Sequence, residues 1–367
     1  MIQSTSKACL EIDKNFFSED ESIISIKGFK RAYGLNQLNN KLLIPDFLDG
    51  LVYEVDLINF NCKKLILKDK KLQKQNKLEI IKKKIIKKIQ TNLDENIIQP
   101  HDIYIDLNNK IYLTDLGLGK DQGKGKILIF DSEYNLLDKI GSKFHDNLGL
   151  ISPVMIYRKE NFFYITEYGA NKILRLDEKF NLVDWIGTED KKFLGINNNS
   201  WKSSKKFIDI DLLIPHALKI DAKGFLYIAD SGNHRILRYD SKGNFFGWIG
   251  KNNDNQINDN WSEKNKPISG NEPGAFKNPL DLFIMNDSIL ISEVGNSRIS
   301  KVGYDGKFHG WLSFDEKKQI FYWSKNLEDI IELNEPYGFK VYENSIFIAD
   351  RGNSRVLLIK SKNLFKK

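Results

Sequence analysis

The chain has 367 residues, 41% of them apolar and 12% aromatic, with a formal charge of +7. This composition supplies a sizeable core and excludes a disordered chain, and no apolar run reaches the roughly 18 residues that a membrane helix needs. Cys9 and Cys62 are the only thiols and show no CxxC spacing, so neither a disulfide framework nor a cysteine zinc site is expected.

Residues 1–21 read as an N-terminal extension. The start, MIQSTSKACLEIDKNFF, carries acids and has no apolar h-region, so it is not a secretory signal and a cytoplasmic protein is expected. Residues 22–28, SIISIKG, alternate like the closing strands found further along the chain. A first four-strand unit opens near Arg31 or Ala32 and carries an acid at Asp46.

The basicity sits in one place. Residues 63–90 hold twelve Lys against Asp69 and Glu79, a local charge of +10 that leaves −3 for the rest of the chain. Leu78, Ile81, Ile85 and Ile89 fall at helical spacing, which predicts a Lys-rich helical insertion over about 68–99. Such a helix either packs one apolar stripe on the domain or docks on an anionic partner, RNA or lipid, through Lys74–Lys88.

Beyond the insertion the chain is periodic. Acids recur at Asp115, Glu167, Asp230, Glu293 and Asp350, each about 15 residues after a proline: Pro100, Pro153, Pro215, Pro279 and Pro336. Closing phrases follow, DKIG (138–141), DWIG (184–187), GWIG (247–250) and GWLS (310–313). The fourth unit reads as four short strands, HALKID, GFLYIAD, RILRYD and NFFGWIG, separated by turns. Six such units predict an all-β, six-bladed β-propeller with four antiparallel strands per blade, spanning 22–367 as one domain. The sixth unit has little chain after its third strand, so SIISIKG is expected to complete that blade and close the ring.

IADSGNHRILRYD (228–240), ISEVGNSRISKVG (291–303) and IADRGNSRVLLIK (348–360) repeat an acid, a Gly-Asn pair and an Arg. The pair is expected to supply positive backbone angles at a tight turn, and Arg235, Arg298 and Arg355 to bond the repeat acids. This pattern, with its upstream Pro and downstream Trp-Ile-Gly, resembles the NHL repeat over residues 22–365, most closely in units three to six. Unit one departs from it: DFLDGLVYEVD (46–56) has neither the Asn nor the Arg.

Three functions compete. Connections 188–213, 251–277 and 314–334 carry Trp201, Trp261, Phe321, Tyr322 and Trp323 among many polar residues, which suits a monomeric, non-enzymatic binding scaffold for a protein, peptide or glycan. The aromatics alternatively pin their own loops. In the second, PHD (100–102) and PHA (215–217) place His101 and His216 at matching positions of innermost strands, with Tyr337 at the same place in unit six. The Pro-His motifs resemble those of peptidyl-hydroxyglycine amidating lyases. That resemblance implies zinc in the central channel and a lyase or hydrolase, with His101, His216 and Tyr337 as metal ligands; rim histidines bonded to backbone are the plain alternative. RNA binding, as in some NHL proteins of the tripartite-motif group, is the third.

Overall fold

The computed structural model describes residues 11–16, 20–48, 50–59, 61–65, 68–69, 99–117, 125–141, 150–187, 211–240, 244–262 and 265–365. Within them, six sheets follow one another along the chain. The third keeps the simplest form: Pro153–Lys159, Phe162–Glu167, Lys172–Leu176 and Leu182–Ile186 pair in sequential antiparallel order. The fold is an all-β six-bladed propeller.

Six apolar clusters occupy the six spaces between neighbouring sheets. Ile127 and Ile129 of the second meet Ile156, Ile165 and Leu174 of the third. Leu218, Ile228 and Trp248 of the fourth meet Ile173 and Ile186 of the third. Ile24, Ile26 and Val356 of the sixth meet Leu42, Ile44 and Tyr53 of the first. A strand between two neighbours is covered on both faces, so IYLTD, LYIAD and SILISE are buried at every position rather than at alternate ones.

The N-terminal strand Glu21–Lys27 pairs antiparallel along Arg355–Ser361, Ile23 opposite Ile359 and Lys27 opposite Arg355. Glu11–Phe16, inside the expected extension, adds a further strand to its outer side.

Strand number varies from sheet to sheet among the described residues, from four upwards. Ile257–Ser262 pairs with Phe245–Asn252, and Ile320–Ser324 with Phe308–Asp315. Parts of 251–277 and 314–334 are therefore outer strands: IFYWS (320–324) is rich in strand-forming residues, whereas INDNWS (257–262) has only Ile257 and Trp261 and pairs at the blade edge against its local propensity.

The helical insertion expected over about 68–99 falls almost wholly outside the described residues. Lys68–Asp69 belongs to a two-residue strand, parallel to Asn135–Leu136. Helices among the described residues are three-residue 3-10 turns, and none is long and apolar enough to cross a membrane. Cys62 is disulfide-bonded, which corrects the expectation of two independent thiols. Cys9, the other cysteine, lies outside the described residues.

Candidate functional site: the propeller axis

The repeat acid is a structural hub. Asp230 Oδ1 accepts the Leu213 N–H at 2.8 Å, while its Oδ2 accepts from Arg235 Nε at 2.7 Å and Asn233 Nδ2 at 2.9 Å. Glu293 and Asp350 hold Arg298, Arg355 and their own Asn residues in the same way. Amides entering the inner strand bind the acid in every blade, through Arg31 on Asp46, Gln99 on Asp115, Ser152 on Glu167, Lys277 on Glu293 and Asn334 on Asp350. The acid therefore fixes where each inner strand starts, and the three Arg are structural.

The turn chemistry differs from expectation. The positive angle falls one residue after the Asn, at His234 (φ 56°), Ser297 (φ 53°) and Ser354 (φ 52°). Gly232 is there for approach: its N–H donates to Leu213 O at 2.8 Å, and a Cβ would sit 2.8 Å from that oxygen. A short 3-10 turn, rather than a two-residue hairpin, satisfies both constraints.

Held in this way, the inner strands bring corresponding residues to the axis in layers. One position past each blade opening stand Tyr33, His101, Val154, His216, Leu280 and Tyr337. His101 Nε2 is 2.9 Å and His216 Nε2 2.8 Å from the Tyr337 hydroxyl. His101 Nδ1 donates to Val154 O at 3.0 Å, and His216 bonds the Leu280 backbone. Tyr33 stacks on Tyr337 at 4.1 Å, and the Arg351 guanidinium lies 4.7 Å from the Tyr337 ring centre while paired to Glu335.

Burial lowers His216 to about 3, with the Arg351 charge adding to it. Burial and then His216 hold His101 well below the ordinary imidazole range, and burial with Tyr33 pushes Tyr337 well above 10. Both histidines are therefore neutral and the phenol keeps its proton. With their other nitrogens donating to backbone, both Nε2 atoms carry lone pairs, while Tyr337 has one O–H to donate. The trio is one proton short.

These donors suit zinc in kind, since imidazoles oriented by backbone carbonyls are common ligands. Their spacing does not suit it. Tetrahedral bonds of about 2.1 Å set donors about 3.4 Å apart, whereas the two contacts to the Tyr337 hydroxyl are hydrogen-bond lengths. Among the described residues, no group of three His, Cys, Asp or Glu side chains is placed to hold a metal.

Next to this layer lies a cavity of about 200 Å³, lined by inner strands of all six blades. Asp102, Lys219, Asp281 and Lys340 bring charge to it, and Tyr104, Tyr157 and Phe283 give it aromatic walls. Burial raises Asp102 to about 7 against the pull of Lys219, with Asp281 adding to the rise. Burial and then repulsion from Lys219 lower Lys340. The sequence reading missed all four. The signal was present: both aspartates follow their prolines by two residues, and both lysines by four.

The expected loop aromatics are not gathered into a site. Trp261 lies on an outer strand, 6% exposed, its indole donating to Tyr304 O at 2.9 Å. Phe321 is 1% exposed, and Trp323 donates to Leu364 O while packing in the cluster between blades five and six. Tyr322 is half-buried on the same outer strand, and Trp201 lies outside the described residues.

Six sheets ringed about an axis, with an acid–Asn–Arg hub in three of them, define a six-bladed β-propeller. Residues 212–239, which hold the Asp230–Arg235 hub, match the model of the NHL repeat. No curated protein matches the chain in sequence. Among solved structures it is similar to a virginiamycin B lyase from Staphylococcus aureus, with 12% identity, a TM-score of 0.50, and 96% of this chain and 99% of that one covered. A putative phosphatase from Bacteroides thetaiotaomicron (13% identity, TM-score 0.58, 91% and 72% covered) is also similar. So is an auxiliary nutrient binding protein from Bacteroides ovatus (14% identity, TM-score 0.55, 95% and 72% covered). At such identities the likeness shows the fold alone.

Proposed function

We propose that the protein is a non-enzymatic binding scaffold that takes its ligand at the propeller axis. The observation that carries this reading is the cavity of about 200 Å³, in which charged and aromatic side chains from separate blades converge. The loop-face aromatics first favoured for that role offer less, since Trp261 and Phe321 are committed to packing. The virginiamycin B lyase and nutrient-binding neighbours are compatible with a ligand on such a scaffold without choosing among ligands. A protein, peptide or glycan at the long-loop face remains the rival placement. A thermal-shift screen of small metabolites separates the two. Hits are expected to vanish in Tyr157→Ala and Phe283→Ala and to survive Tyr322→Ala; the reverse pattern moves the site to the outer edge.

A second reading rests on the convergence of His101, His216 and Tyr337. A cation would relieve the two facing lone pairs, and zinc would supply Lewis acidity for a lyase or hydrolase. The hydrogen-bond spacing argues against it. Stoichiometric zinc in purified protein, lost in His101→Ala and His216→Ala, would establish a metal site there; equal, trace metal in all three would remove it. RNA binding through Lys74–Lys88 rests on sequence alone, because those residues lie outside the described ones.

We also read the pairing of Glu21–Lys27 with Arg355–Ser361 as the closure of the ring, and the outer strands as additions to a four-strand blade. A monomeric state and a cytoplasmic setting are proposed from sequence; the Cys62 disulfide weighs towards an oxidising compartment instead.

A further inference from the structure

The four charges of the axial cavity are not equivalent. Lys219 Nζ stands 4.0 Å from Asp281 Oδ1, and Asp281 also accepts the Leu282 N–H at 2.8 Å and the Phe339 N–H at 3.0 Å. Lys219 is further settled by Met155 Sδ at 3.7 Å and the face of Tyr157 at 5.5 Å. Lys219 and Asp281 thus form an ion pair at the cavity wall.

Asp102 and Lys340 are left over. Neither has an ion-pair partner within 4.0 Å among the described residues. They come from blades two and six, on either side of blade one, and blade one places Gly34 beside the carboxylate. A Cβ there would fall 2.4 Å from Asp102 Oδ1, so the absent side chain leaves the carboxylate its room. Asp102 accepts the Ile103 amide and feels Lys219 and Lys340 only at longer range, so one acid and one base without a direct ion pair line the same small cavity.

We propose that the cavity holds a small zwitterion of the α-amino-acid type, its ammonium on Asp102 and its carboxylate on Lys340. This deepens the binding-scaffold reading and rests on it. A partly buried charge without a partner is costly, and a ligand carrying the opposite charges cancels both costs at once. A simple anion would satisfy Lys340 and face Asp102; a simple cation would do the reverse. Burial moves Asp102 and Lys340 towards their neutral forms, and a ligand of matching charge restores both. At about 30 Å³ per water, the cavity holds the equivalent of roughly seven waters, which fits a free amino acid. Tyr104 and Phe283 then wall the space left for its side chain.

Calorimetric titration of the full chain with each of the standard amino acids in turn is the test. Whichever binds is then compared with its decarboxylated amine and its deaminated acid, on wild type, Asp102→Asn and Lys340→Gln. The half-charged relatives are expected to bind at least about tenfold more weakly, and each substitution to weaken the amino acid by a similar factor. A single cooperative melt for each variant would show that it folds; if Lys340→Gln does not, Asp102→Asn decides alone. No binding of any amino acid, an acid or amine binding as tightly, or a folded variant binding unchanged overturns the proposal. Should that happen while another metabolite still binds in a Tyr157- and Phe283-dependent way, the channel-binding reading stands and only the zwitterion falls.

Discussion

Asp230 is fully buried, and burial raises its pKa while Arg235, Asn233 and the Leu213 amide pull it back. Arg235→Ala removes the strongest of these compensations and leaves a carboxylate in an apolar layer. A loss of roughly 3 kcal/mol is expected in urea denaturation, with ligand affinity unchanged in whatever protein stays folded. Full stability with lost affinity would contradict the structural role. The axial histidines set a pH dependence. His216 has a folded pKa of about 3 against an ordinary 6.5, so the unfolded chain takes up a proton first. Its contribution is present above pH 6.5 and lost as pH falls towards 3. His216→Phe should therefore lose less stability between pH 7 and pH 4 than wild type. Asp102 acts in the opposite sense: its folded pKa of about 7 exceeds the ordinary 3.8, so its contribution is complete below 3.8 and lost as pH rises to 7. Asp102→Asn should flatten that decline in melts from pH 4 to pH 7.

At the scale of an element, the N-terminal strand carries the largest consequence. Ile24 and Ile26 are 5% and 0% exposed and pack between the sixth and first blades. Glu21 ties the same strand to Ser361 and Asn363. Deleting residues 1–28 removes a ladder and two buried isoleucines, each worth about 2 kcal/mol, so a loss of at least about 4 kcal/mol is expected. A truncated protein melting like the full chain would show that this strand is dispensable. The outer strands Ile257–Ser262 and Ile320–Ser324 show why element number was hard to read. IFYWS carries strand propensity and INDNWS does not, yet both pair, because whether a segment joins a blade depends on an open edge beside it, which no local pattern reports.

Across the whole molecule, charge is unevenly distributed along the chain. The segment 63–90 carries +10 while the remainder carries −3. Association with polyanions is expected to be weak, strongly salt-dependent and indifferent to base sequence, as a filter-binding series from low to physiological salt would show. Retained, sequence-selective RNA binding at physiological salt would instead give the basic segment a function of its own.

The sequence alone determined the blade count, the acid–Arg pairing and the placing of His101, His216 and Tyr337 at matching positions, because each is a repeated signal. An acid every 52 to 69 residues and one position past each opening are countable on paper. Only the tertiary structure decided what those positions do. Tyr337 meets the histidines at hydrogen-bond spacing because the inner strands of three blades set the distance. Trp261 is a core residue because an unpaired blade edge drew its strand in. Asp102 and Lys340 share a cavity because the ring brings blades two and six to either side of blade one, although 238 residues separate them in the chain. A periodic pattern specifies the repeated contact; the radius of the propeller specifies which unlike residues face one another across its axis.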